Sequence, residues 1–199
     1  MSYGLPHTTE VNRALPKKAL YAKFSMKSAA RDNFDMDISR LVISHEISPQ
    51  SVPALAAGSV STIYVLSVLL KRKDFDRKNI ELLTKLIPQH MVIALQFEQE
   101  TMLAIFNDRL FYADWQTTEA VTIPLNGLTL DAVWQSLVTS IGGITIQEGN
   151  SLKEQIVADE AREKLLKQIA ALESRMRTTK QPRRKLELHE QIQTLKQKL

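Results

Sequence analysis

The sequence predicts an α/β (α+β) sandwich with a mixed, largely antiparallel sheet, followed by a C-terminal helical hairpin of coiled-coil type. Three observations carry this. Between residues 36 and 115, short apolar runs with strand character alternate with turn signals around one amphipathic helix. The last three of those runs are joined by connections too short for parallel crossovers. From residue 151 onward aromatic residues disappear, and apolar residues recur at 4-3-4 spacing.

The elements follow in order. Pro6 and Pro16 punctuate an extended entry, and Pro16 suits the first position of a helix over about 17–32, where its missing N–H costs nothing. Leu20, Phe24 and Ala30–Phe34 supply that helix with an apolar stripe. "MDISRLVISHEIS" (36–48) alternates as a strand should, and "VSTIYVLSVLL" (60–70) reads as a second, more central one. Eleven residues are too few to span a bilayer, which takes roughly 20. "DRKNIELLTKLIP" (76–88) places Ile80, Leu83, Leu86 and Ile87 on one helical face and ends at Pro88. "HMVIALQF", "TMLAIFN" and "LFYADW" form an antiparallel meander. Thr129 is positioned to cap a helix over about 130–141, Asp131 to complement its dipole, and Gly142–Gly143 to stop it.

The C-terminal segment is distinct. Residues 151–199 hold twelve Lys/Arg and seven Asp/Glu, net +5, whereas residues 1–150 hold fourteen and fifteen, net −1. Leu165, Ile169, Leu172 and Met176 form one seam, and Leu188, Ile192, Leu195 and Leu199 another. Heptads counted on from Met176 miss Leu188, and Pro182 disfavours helical geometry at Gln181. This predicts two helices, about 152–177 and 183–199, in an antiparallel hairpin; one kinked rod is the competing arrangement. The domains expected are therefore 1–147, a globular α/β unit, and 151–199, a helical arm. Homo-oligomerisation through these helices is the other use of such seams.

No residue set reads as a catalytic centre. With no cysteine, thiolate chemistry and cysteine-rich zinc sites are excluded. There is no phosphate-binding glycine loop, and "HEISP" (45–49) lacks the second histidine of a zinc-protease motif, leaving an exposed His–Glu pair at a strand end. A restriction-type nuclease would draw on Asp35, Asp37 and Glu46, but the following strand offers no carboxylate before Lys71. No metal or other cofactor is expected. Two basic sets are candidates for nucleic acid or an acidic partner. One is Arg175, Arg177, Lys180, Arg183, Arg184 and Lys185. The other is the N-terminal set Arg13, Lys17, Lys18, Lys23, Lys27 and Arg31, whose four-residue spacing aligns charges on a helix. No aromatic residue interleaves with the first set, which disfavours base stacking.

Three stretches, "LPHTTEVNRALPKK" at the start, "PLNGLTLDAVWQSLV" at 124–138 and "KQPRRKLELHEQIQTLKQKL" at the end, together resemble a prokaryotic family, domain of unknown function 4391, over essentially the whole chain. The resemblance implies an accessory role in restriction-modification-like or phage-defence loci, beside a helicase or DNA methyltransferase. The expectation is thus a non-enzymatic, cytoplasmic interaction subunit. A stand-alone DNA- or RNA-binding protein and a degenerate nuclease are the alternatives.

Overall fold

The computed structural model describes residues 2–147 and 149–198. The chain divides into two units, one ending at Ile144 and one beginning at Thr145. The first is an α+β fold around a mixed sheet whose path runs β1-β2-β3-β4-β5-β6, with β7 paired to β5. The strands are β1 (Glu10–Ala14), β2 (Ile38–Ile47), β3 (Ile63–Leu70), β4 (His90–Phe97), β5 (Glu100–Asn107), β6 (Arg109–Tyr112) and β7 (Gln116–Thr117). Its helices are α1 (Lys17–Lys23), α2 (Ser28–Asp37), α3 (Arg77–Leu86) and α4 (Leu130–Gly142).

The β4–β5–β6 meander is antiparallel, and its first turn closes on Phe97 opposite Glu100. Strands β3 and β4 are parallel because α3 carries the chain back between them. The α3 start is fixed by Asp76, whose carboxylate accepts the Lys78 amide at 2.9 Å.

One core gathers Leu20, Phe34, Ile80 and Leu83 from the helices against Leu66, Val68, Ile93, Leu95 and Ala104 of the sheet. The alternate residues Val65, Val92 and Ile105 are also fully buried, so both parities of the central strands are covered. The α4 helix, whose Val133, Leu137 and Val138 are buried, packs on β5 and β6.

Four expectations are corrected. The entry is not merely extended: Glu10–Ala14 is an edge strand on β2, although every one of its residues is exposed. The predicted 17–32 helix breaks at Phe24–Lys27, where Ser25 takes a left-handed φ of 45° and the Met26 amide returns to the Tyr21 carbonyl. The His45–Glu46 pair is not exposed at a strand end, because His45 is 1% exposed inside β2. The register there passes from Ile43↔Leu66 to His45↔Val65, so Ser44 is the extra residue of a bulge and adjacent side chains are both buried. Finally, the Asp131 carboxylate does more than complement its helix, since it accepts the amides of Ser59 at 3.1 Å and Val60 at 3.4 Å and the Ser59 hydroxyl.

The second unit contains α5 (Leu152–Thr178) and α6 (Pro182–Lys196), which pack on one another. Among the described residues no helix is long and apolar enough to cross a membrane.

Candidate interaction site

The α5 helix begins with a complete capping box. Ser151 Oγ accepts the Glu154 amide at 3.3 Å, and the Glu154 carboxylate accepts the Ser151 amide at 2.8 Å. The Ser151 hydroxyl, followed by its amide, holds the Glu154 carboxyl below its ordinary pKa. At the other end the Arg175 carbonyl accepts the Thr179 amide at 3.0 Å, and the Thr178 and Thr179 hydroxyls donate to the same oxygen at 3.1 and 2.7 Å. After Thr179–Gln181, Pro182 opens α6 at a position where no amide is needed.

The seam residues are the inward ones. Ile169, Leu188 and Ile192 are buried, while Leu165, Leu172, Met176 and Leu195 are half-buried; Leu199 lies outside the described residues. Between them the intervening positions of both helices are mostly exposed, so the apolar contact is a narrow stripe. Lys196 reaches Glu173 at 2.9 Å, an ion pair between α6 and α5. The numbering carries a signal that the heptad count alone does not use. Met176 and Leu188 lie six residues either side of Pro182, Leu172 and Ile192 ten, Ile169 and Leu195 thirteen, and Leu165 and Leu199 seventeen.

The six cations of 175–185 are all exposed. Arg175 and Arg177 occupy the last turn of α5, where the helix dipole favours positive charge. Arg183, Arg184 and Lys185 occupy the first turn of α6, where it disfavours it, and no acid accompanies them there. Glu187 answers two of them, Arg184 at 2.8 Å and Arg183 at 3.9 Å. Arg175, Arg177, Lys180 and Lys185 have no ion pair among the described residues.

The N-terminal basic set is dispersed instead. Arg13 stands on β1, Lys17 and Lys23 on α1, Lys27 in the break and Arg31 on α2, so the expected single helical line does not form. Lys17 is engaged: its Nζ lies 2.5 Å from Asp35 Oδ1 and 2.7 Å from the Ile38 carbonyl. Arg31 donates to the Met26 carbonyl at 2.7 Å.

The acids of the nuclease reading do not assemble. Glu46 and Asp37 stand at opposite ends of β2, about 30 Å apart at roughly 3.3 Å per residue. Asp35 binds Lys17 and accepts the Tyr21 hydroxyl at 2.6 Å. Asp37 is 1% exposed and already saturated, by Arg72 Nε at 2.5 Å, the Asp76 amide at 2.8 Å and Asn79 Nδ2 at 2.7 Å. Burial opposes its charge, but the Asp76 amide, Arg72 and Asn79 outweigh it and hold its pKa below the ordinary carboxylate value. This carboxylate ties the end of α2 to the segment after β3 and to α3. No group of three or more His, Asp or Glu side chains converges among the described residues.

A search of curated proteins and of solved structures finds no match to this chain. A family does match it, over residues 3–199, and the chain thereby belongs to the family described as Domain of unknown function (DUF4391).

Proposed function

We propose that this protein is a non-enzymatic interaction subunit of a restriction-modification-like or phage-defence assembly. In this reading the N-terminal unit is a two-faced α/β sandwich that docks a helicase or DNA methyltransferase of the same locus. The α5 and α6 helices form an antiparallel coiled-coil hairpin that turns at 179–181. The inward seam, the Lys196–Glu173 pair and the mirrored spacing about Pro182 support the antiparallel sense.

The observation that carries the proposal is the contrast at the turn. The apolar residues are drawn inward, whereas six cations are left in water with one carboxylate, Glu187, between two of them. Such a tip attracts phosphates or an acidic protein surface. The commitment of Asp35 and Asp37 to internal partners favours this reading over the nuclease alternative.

Co-purification with the helicase or methyltransferase encoded beside it tests the docking role. The partner should be retained by wild type and weakened by the combined Arg183→Glu, Arg184→Glu and Lys185→Glu substitutions; wild type recovered without partner overturns the role. Direct binding of nucleic acid is tested separately by titrating duplex DNA across a salt series. Removing one cation that neutralises a phosphate should flatten the log–log salt slope by about 0.9. Failure to bind DNA or RNA at low salt would leave the acidic protein surface as the target of the tip.

A further inference from the structure

The buried His45 ring is left out of the hydrogen bonding around it. Neither Nδ1 nor Nε2 meets a hydrogen-bonding group among the described residues. Its neighbours are joined instead. The Ser44 hydroxyl donates to the Val65 carbonyl at 3.1 Å and accepts the Ser67 hydroxyl at 3.0 Å. The Ser67 oxygen lies 3.1 Å from the Tyr3 hydroxyl, which accepts Gln96 Nε2. The imidazole has only an edge contact with the Tyr3 ring, centroids 5.8 Å apart. A neutral ring is costly there, and protonation adds a second N–H and a charge in the same dry place.

The charged and titratable groups around the ring do little to hold that charge. Glu10, opposite His45 on β1, favours it, but this carboxylate also lies 3.0 Å from His7 Nδ1. The amino terminus disfavours it. Tyr3 is a neutral phenol whose pKa burial raises, Glu46 follows in β2, and the β3 partner Val65 is apolar.

The cover over His45 is the part of the sheet held least. Of residues 2–14 only Tyr3, Leu5 and Thr9 are buried. Tyr3 takes a left-handed φ of 47°, which its side chain disfavours, and is held by the Ile123 amide on its carbonyl at 2.9 Å. β1 is an edge strand of five exposed residues, and its register on β2 shifts between Glu10 and Arg13. Val65, Val92 and Ile105 of β3, β4 and β5 are fully buried by contrast. Opening of residues 2–14 is therefore easier than opening of the central strands.

We propose that residues 2–14 are an acid-released strap: protonation of His45 lifts Tyr3 and β1 from β2 while the rest of the sheet stays folded. Burial is what opposes the charged ring, and release returns it to water, so acid favours the released state. Release also bares the backbone groups of the β2 edge for pairing with another strand. The strap does not depend on the proposed docking role.

Amide exchange of the full chain at pH 7 and pH 5, with the intrinsic pH dependence divided out, tests it. The open population of β1 should rise roughly 10-fold or more, while β4 and β5 keep their protection. His45→Gln and His45→Phe, which cannot titrate, should each abolish the rise; two variants guard against one that folds poorly, as judged by circular dichroism. Glu10→Gln, at an exposed position, should enlarge it. Equal loss of protection in β1 and β4 overturns the proposal, since His45 would then report global unfolding. So does a rise that persists in both His45 variants. A His45 ring that titrates near 6.5 by NMR while β1 stays protected overturns it as well.

Discussion

The two basic stretches, 13–31 and 175–185, look alike as sequence and differ as structure. The first is distributed over a strand, two helices and the break between them, and its Lys17 is consumed by Asp35 and the Ile38 carbonyl. The second stays together, exposed, with little acid beside it. The difference lies in what the fold brings alongside. In the N-terminal unit long-range packing delivers acids to bases, Asp35 to Lys17 across 18 residues and Asp37 to Arg72 across 35. In the C-terminal unit the contacts join neighbouring helices, and the nearest acid is Glu187, three and four residues along α6. A run of positive charge becomes available to a partner only where the fold supplies no internal counter-charge.

The largest expected effect comes from breaking that internal pairing. Asp37→Ala strands Arg72, the Asp76 amide and Asn79 at once and should cost about 3 kcal/mol, read from urea unfolding. The Arg72 side chain is 44% exposed and can rehydrate, which keeps the loss at the low end for a buried pair. Next is the seam. Leu188→Ala should cost about 2–3 kcal/mol, appearing as loss of helical signal and faster amide exchange in α6. Ser151→Ala removes a cap and should cost about 1 kcal/mol, with exchange quickened in the first turn of α5. Smallest, and of opposite sign, is Lys185→Glu, which puts an acid near the positive end of α6. It should stabilise that helix by about 0.3 kcal/mol, slowing its amide exchange, while weakening any acidic partner.

Acid sharpens the same contrast. Burial lowers the pKa of His45, with Glu10 acting against it, and burial lowers that of His90, with Asp131 acting against it. A histidine whose folded pKa is depressed contributes stability that is complete above its unfolded pKa of about 6.5 and declines as pH falls below it. The N-terminal unit should therefore lose stability below about pH 6.5, and His45→Phe should flatten that slope. Asp35 and Asp37, also depressed, should add a second decline below the unfolded carboxylate value of about 3.9. Denaturation midpoints measured across this pH range would reveal both steps.

Much of this architecture is legible in the sequence because local signals agree with tertiary ones. The meander has short turns between strand-like runs, α3 and α4 have side-chain caps at Asp76 and Thr129, and the apolar spacing of the last segment marks the inward face of both helices. What is hidden depends on partners far along the chain. β1 has no alternation to read, since all five residues are exposed and only β2 makes it a strand. β7 is two residues long. The break at Ser25 has no glycine or proline to announce it. His45 looks like a surface residue until one extra residue opposite Val65 turns it inward. The scatter of the N-terminal cations follows from that unmarked break and from the unmarked strand that takes Arg13.

The three-residue link Thr179–Gln181 has a consequence in time. Helices separated by so little chain find each other quickly, because elongation takes nanoseconds per residue and short loops close in roughly 10–100 ns. The sheet must instead bring Glu10 to His45 and Ile47 to Ile63, closures that cost more entropy before any contact rewards them. The helical unit thus needs less chain closure than the sheet and forms the sooner of the two. The charged turn is set while the sheet is still finding its register.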